Sequence, residues 1–77
     1  MAEVCIFMFP STHTALQAEK LADDAQIPIR MIPVPRELSA DCNMGMETAL
    51  EYESAAKELL AHGGIEHDSI RWSRKNG

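Results

Sequence analysis

Cysteine is the residue type in this sequence with the clearest capacity for chemistry, and it occurs twice, as Cys5 and Cys42. Cys42 lies in the polar segment PRELSADCNMGME, residues 35–47, whose Ser, Asp, Asn and Gly residues disfavour a helix or a central strand. A loop thiol becomes a nucleophile as the thiolate, which a helix N-terminus or a cation stabilises. Cys42 is therefore the first candidate functional residue. The alternative is that it is a loop thiol without a chemical role.

The neighbours of Cys42 along the chain act in opposite directions on its pKa. Arg36 is the nearest cation and favours the thiolate, whereas the adjacent Asp41 disfavours it. Cys5 lies in an apolar run and is predicted to be a small residue of the hydrophobic core. The sequence alone leaves open which neighbour controls Cys42.

Other polar side chains give weaker signals. His13, His62 and His67 have neither the i, i+4 spacing of a helical metal site nor the HxH spacing of a strand site, so we expect neither a metal nor another cofactor. Acidic residues at four positions are interpreted as solvated helix faces: Glu47, Glu51, Glu53 and Glu58. No acid, base and orienting group can be assembled at a defined spacing, which argues against an enzyme.

The composition limits the remaining classes of function. The 77 residues are interpreted as one domain, residues 1–77, and the net charge of −5 disfavours binding to nucleic acid. The longest apolar run, residues 4–9, is too short to span a membrane and lacks the features of a secretory signal. We therefore expect a cytoplasmic protein without a membrane partner, with both thiols reduced.

Two strands and a helix are predicted in the first half. Residues 3–9 form a buried strand that ends at Pro10, and residues 11–27 form a helix with Ser11 and Thr12 as N-cap candidates. The predicted apolar face of this helix is Ala15, Ala18, Leu21, Ala22 and Ala25, with Leu16 off the face. Residues 27–35 form a second strand, which must lie at a sheet edge because Pro33 cannot donate to a ladder.

The second half predicts a strand, a helix and a strand. Residues 44–47 alternate as a short strand, Thr48 and Glu51 suggest a capping box, and His62-Gly63-Gly64 ends the helix. The predicted apolar face of this helix is Ala49, Tyr52, Ala56, Leu59 and Leu60. Residues 69–74 form the last strand, and the alternative is one longer helix over residues 44–60.

This order predicts an α+β, ferredoxin-like βαββαβ sandwich, with two helices on one face of a four-stranded antiparallel sheet. Right-handed connections make the first two strands parallel, and the last two parallel and opposite to them. The loop with Cys42 then shares an end of the sheet with Ser11, Thr12 and His13, and with His62 and His67. The amides of residues 11–13 are candidates for stabilising an anion there.

The sequence FPSTHTALQAEKLADDAQIPIRMIPVPRELSADC, residues 9–42, resembles the DUF3343 family of small bacterial domains, described as selenium or sulfur carrier protein-like. The matching features are Phe9, the turn at residues 11–13, the helical residues 15–16 and 18–20, the segment 32–36, Ser39 and Cys42. Members typically have Cys-Gly where this chain has Cys42-Asn43. Asn43 and the nearby Gly45 are expected to set the shape of the loop, because Asn tolerates a positive φ.

The resemblance implies that Cys42 carries a persulfide-type adduct of sulfur or selenium, received from a donor protein and passed to an acceptor, with Arg36 nearby. The alternative is a non-catalytic interaction or regulatory module in which the cysteine has no chemical role. In that case, exposed edge strands and Trp72 would build a homodimer.

Overall fold

The computed structural model describes residues 2–34 and 44–74. The strands are β1 Ala2–Met8, β2 Arg30–Pro33, β3 Met44–Ala49 and β4 Asp68–Arg74, and the helices are α1 Thr12–Asp24 and α2 Glu53–His62. A 3₁₀ turn, Leu50–Tyr52, leads into α2. The predicted α+β class with a four-stranded antiparallel sheet and two helices is confirmed. Within the described ranges, no helix is long and apolar enough to cross a membrane.

Strand β1 is central in the sheet, whose order is β2-β3-β1-β4. Its β-branched and aromatic residues suit a strand with neighbours on both sides. The register places Phe7 opposite Met46 of β3 on one side and opposite Ser69 of β4 on the other. Since β1 and β2 both run antiparallel to β3, they are parallel to each other, as the sequence predicted.

The two outer strands are β2 and β4. The predicted edge position of the strand with Pro33 is confirmed, because β2 pairs only with β3 among the described strands. β4 pairs with β1 along its whole length, from Met8 opposite Asp68 to Ala2 opposite Arg74.

Both helices cover the same face of the sheet. Cys5, Phe7 and Met46 are fully buried on this face, and they form one cluster with small residues of α1 and with Ala56 and Leu60 of α2. The predicted core position of Cys5 is therefore confirmed. The opposite, helix-free face carries Val4, Ile6 and Met8 of β1, which alternate with the core residues.

The apolar face of α1 follows the prediction except at its end. Ala15, Ala18 and Ala22 are buried, while Leu16 is 56% exposed. Ala25 is exposed, contrary to prediction, because α1 ends at Asp24 and Ala25 is its C-cap. The helix is therefore shorter than the pattern of residues 11–27 suggested.

The start of α2 corrects the sequence prediction. The capping box at Thr48 and Glu51 is wrong, because Thr48 belongs to β3 and its hydroxyl donates to the carbonyl of Pro28 at 2.7 Å. Ala49, assigned to the apolar face of the helix, is an exposed strand residue. The alternative of one long helix is also wrong, since β3 pairs with both β1 and β2.

The predicted end of α2 is confirmed. Gly63 is the C-cap, and its amide donates to the carbonyl of Leu59 at 3.0 Å. Gly64 has a φ of 68°, which glycine adopts without the steric cost that a Cβ imposes. The chain then turns through Ile65 into β4.

Candidate functional site

The N-terminus of α1 is built by a side-chain cap. Ser11 has an extended backbone, with φ −151° and ψ 161°, and its Oγ accepts a hydrogen bond from the amide of Thr14 at 3.2 Å. The two side-chain hydroxyls, Ser11 Oγ and Thr14 Oγ1, are 2.9 Å apart. Thr12 and His13 begin the first turn of α1, where the backbone amides have no hydrogen-bond acceptor within the helix itself. Ser11, Thr12 and His13 are all exposed, as an anion-stabilising role requires.

His67 lies beside the end of β1. Its Nδ1 is 2.9 Å from the carbonyl oxygen of Ile65, which can only accept, so Nδ1 carries the proton and Nε2 is the acceptor when the ring is neutral. The imidazole packs edge-on against Phe7, with ring centroids 5.5 Å apart and an interplanar angle of 66°. This contact fixes the position of the ring at the entry to β4.

A cavity of about 320 Å³ joins His67 to the segment that precedes α1. Its lining residues are Met8, Phe9, Pro10, Glu66, His67 and Asp68. The cavity therefore connects the end of β1, the approach to Ser11 and the start of β4. The sequence prediction had brought these three regions to one end of the sheet.

The segment that contains Cys42 is flanked by residues of the same region. Arg36, Cys42 and Asn43 lie outside the described residues. On either side of them, Pro33 of β2 is opposite Met44 of β3, and Gly45 is opposite Met8 of β1. The described residues on either side of positions 35–43 thus lie at the end of the sheet that leads into α1.

Gly45 is part of β3, where it is buried between neighbours. A Cβ at this position would lie 2.8 Å from Val34 Cγ2 and 3.1 Å from the carbonyl oxygen of Phe7. The absence of a side chain lets Val34 pack directly over β3 next to Ile6. Gly45 therefore allows a close approach between the end of β2 and the centre of the sheet.

The three histidines are at different places. His13 is exposed in the first turn of α1, His62 is the last residue of α2, and His67 contacts Phe7. Within residues 2–34 and 44–74, no group of three or more His, Cys, Asp or Glu side chains could hold a metal ion.

A second polar cluster, which the sequence did not suggest, surrounds Cys5. Arg71 of β4 donates from Nη2 and Nε to the two carboxylate oxygens of Glu53, at 3.0 and 3.4 Å. The Glu53 side chain is only 14% exposed, so its interpretation as part of a solvated face is wrong. The same applies to Glu47, which lies in β3 and is 6% exposed.

This cluster sets the protonation of Cys5. Burial, followed by a hydrogen bond to the Glu53 carboxylate, raises the pKa of the Cys5 thiol to about 11. The hydrogen bonds from Arg71 lower the pKa of Glu53, and the same bonds raise the pKa of Arg71. The raised pKa and the burial both disfavour the thiolate form of Cys5 at neutral pH, which is the form that acts as a nucleophile.

The register of the sheet explains why the sequence did not reveal this cluster. Cys5 is opposite Arg71 in the register of β1 and β4, which places the guanidinium beside the thiol on the helix-covered face. That register depends on pairing between the two ends of the chain and cannot be obtained from a local pattern. Glu53 then completes the cluster from the first turn of α2.

Residues 4–71 match the model of a protein family described as "Putative Se/S carrier protein-like". The matched range contains both helices and strand β3, and it confirms the family resemblance seen in the sequence. No curated protein and no solved structure matches the chain significantly.

Proposed function

Since the chain belongs to the Se/S carrier protein-like family, we propose that it is a non-enzymatic carrier that holds sulfur or selenium on Cys42 and passes it to an acceptor protein. The choice of Cys42 over Cys5 rests on the burial and the raised pKa of the Cys5 thiol. That thiol is buried and has a pKa of about 11, so Cys42 is the cysteine left to react at neutral pH. The carrier needs no cofactor and works in the cytoplasm, where thiols are kept reduced.

The proposed loading step is a thiol exchange. The Cys42 thiolate attacks the terminal sulfur of a donor persulfide, a new S–S bond forms on Cys42, and the S–S bond of the donor breaks. The donor leaves as a thiolate, so the step involves no net oxidation or reduction. Delivery to the acceptor thiolate is the same exchange in reverse, and selenium at the terminal position reacts in the same way.

The first turn of α1 supports the anionic form of the adduct in this proposal. The amides of Thr12 and His13 carry the positive end of the helix dipole, and the Ser11 cap holds the turn in place. Arg36 supplies a cation from the same sequence segment as Cys42. Both contributions stabilise a thiolate or persulfide anion more than the neutral thiol.

The test is mass spectrometry after incubation with a small-molecule persulfide donor. We expect an adduct one sulfur atom heavier on the wild type and on Cys5→Ala, and none on Cys42→Ser. Cys5→Ala is the matched control because it removes the other thiol. An adduct on Cys42→Ser equal to that on the wild type would overturn the proposal.

The pKa of Cys42 offers a second test that needs no donor. Alkylation of Cys5→Ala as a function of pH should give a thiol pKa below the value of about 8.5 for a free cysteine. A value at or above that of a free cysteine would mean that α1 and Arg36 do not activate the thiol.

The alternative function, a non-catalytic interaction module, is supported by the outer side of β4, on which no strand lies among the described residues. In this case the protein acts as a homodimer and Cys42→Ser binds its partners as well as the wild type. Retained binding together with failure of the persulfide test would select this alternative.

We infer a ferredoxin-like arrangement from the way the two βαβ units interlock. β3 lies between β1 and β2, and β1 lies between β3 and β4. Each unit β1-α1-β2 and β3-α2-β4 is thus split by a strand of the other, as in the split βαβ pattern.

A further inference from the structure

We propose that two copies of this chain associate through β4, in an antiparallel pairing centred on Arg71 that joins the two sheets into one. This pairing uses the outer edge of the sheet and does not depend on the carrier function of Cys42.

The two edge strands of the sheet differ in their capacity to pair with a further strand. β2 has four residues and ends in Pro33, which lacks the amide needed for a further ladder. β4 has seven residues, no proline, and no strand on its outer side among the described residues. A long edge of this kind is a template for pairing with another strand unless something covers it.

The sequence of β4 is complementary to that of a second β4 in an antiparallel pair. In an antiparallel pair, facing residues lie on the same side of the sheet, so a twofold axis must pass through a residue. An axis at Arg71 pairs all seven residues of β4, whereas an axis at Ile70 or Trp72 pairs fewer. With the axis at Arg71, Ile70 faces Trp72 of the second copy, and Ser69 faces Ser73.

The apolar pairs of this register lie on the helix-free face. Ile70 is opposite Ile6, and Trp72 is opposite Val4, so all four side chains project from the same side of the sheet. Ile70 is 37% exposed, so part of its apolar surface is open to a partner strand. Pairing of Ile70 with Trp72 of the second copy, twice by symmetry, would cover this surface.

The charged residue at the centre of this register is also compatible with the pairing. At the centre the two copies of Arg71 face each other, which is unfavourable for like charges. Each Arg71 is already bound to Glu53 of its own chain at 3.0 Å, so the central group contains two anions for its two cations. A second copy of β4 therefore matches the side chains of this edge better than a strand that lacks the same order of residues.

The exposed serines provide a test that leaves the core untouched. Ser69 and Ser73 are both exposed, and the proposed register places each opposite the other across the interface. We compare Ser69→Glu/Ser73→Lys, which creates two opposite-charge pairs between the copies, with Ser69→Lys/Ser73→Lys, which creates two like-charge pairs. Sedimentation at low salt should give a dimer Kd about tenfold or more lower for the first variant than for the second.

The single tryptophan of the chain reports the same association in the wild type. Trp72 should shift its emission to longer wavelength on dilution, at the concentration where sedimentation shows dissociation. A wild type that stays monomeric at high micromolar concentration overturns the proposal. Equal Kd values for the two serine variants overturn the register centred on Arg71.

Discussion

The guanidinium of Arg71 binds both carboxylate oxygens of Glu53, and burial together with this carboxylate raises the pKa of the Cys5 thiol. The three residues come from β4, the first turn of α2 and β1. The cluster therefore ties the central strand, an edge strand and a helix together, and its protonation is coupled to the stability of the fold.

The first prediction concerns alkaline pH. The pKa of Cys5 is raised from 9.0 to about 11, so the folded state keeps a proton that the unfolded state releases. The contribution to stability is complete below pH 9 and is lost as the pH rises towards 11, by about 2 to 3 kcal/mol in total. Urea denaturation between pH 8 and 11 should show this loss in the wild type.

Cys5→Ser is the matched variant, because its hydroxyl does not titrate in this range. Its free energy of unfolding should fall less steeply over the same interval, while other titrating groups contribute equally to both proteins. Parallel profiles for the two proteins would show that the Cys5 thiol titrates alike in the folded and unfolded states.

The second prediction concerns acid pH. Arg71 lowers the pKa of Glu53, so this carboxylate stabilises the fold above the pKa of the unfolded chain, and the contribution is lost as the pH falls through the lower, folded value. The Tm of Glu53→Gln should therefore depend less on pH than that of the wild type in the acid range. Glu58→Gln, which removes a charge from the exposed surface of α2, is the control for the loss of one carboxylate from this helix.

The third prediction concerns the close contact at Gly45. Gly45→Ala should lower the free energy of unfolding by about 1 to 3 kcal/mol, because its methyl group would lie 2.8 Å from Val34 Cγ2. The double variant Gly45→Ala/Val34→Ala should be more stable than the sum of the two single changes predicts. Simple additivity in urea denaturation would mean that the two side chains do not compete for space.

The fourth prediction concerns the cap of α1. Ser11→Ala should cost about 1 kcal/mol, since the amide of Thr14 loses its acceptor. Thr12→Ala, one residue further along, is the comparison and should change stability by less than about 0.5 kcal/mol. If the two variants unfold at the same urea concentration, the Ser11 hydroxyl is not acting as a cap.

Local patterns predicted the elements that depend on local chemistry. Pro33 marked an edge strand, Ser11 marked the start of α1, and Gly63 with Gly64 marked the end of α2. In each case the residue acts on the backbone at its own position or within three residues of it, through a missing amide, a nearby acceptor or a permitted φ. Such local effects do not depend on contacts with distant parts of the chain, so the sequence alone can reveal them.

The errors arose where distant parts of the chain decide the outcome. Thr48 fits a capping box, but its hydrogen bond to Pro28 and its place opposite Cys5 keep it in β3. Glu53 fits an exposed helix position in the sequence, but in the fold it is paired with Arg71 of β4. Neither partner is near in sequence, so periodicity and propensity could not reveal them.

The central position of β1 also bears on how the protein forms during synthesis. Val4 is opposite Ala49 on one side and Trp72 on the other, so both partners of the first strand emerge from the ribosome long after it. β1 must wait unpaired while β2 and β3 are made, and its contacts then close long loops, which slows folding.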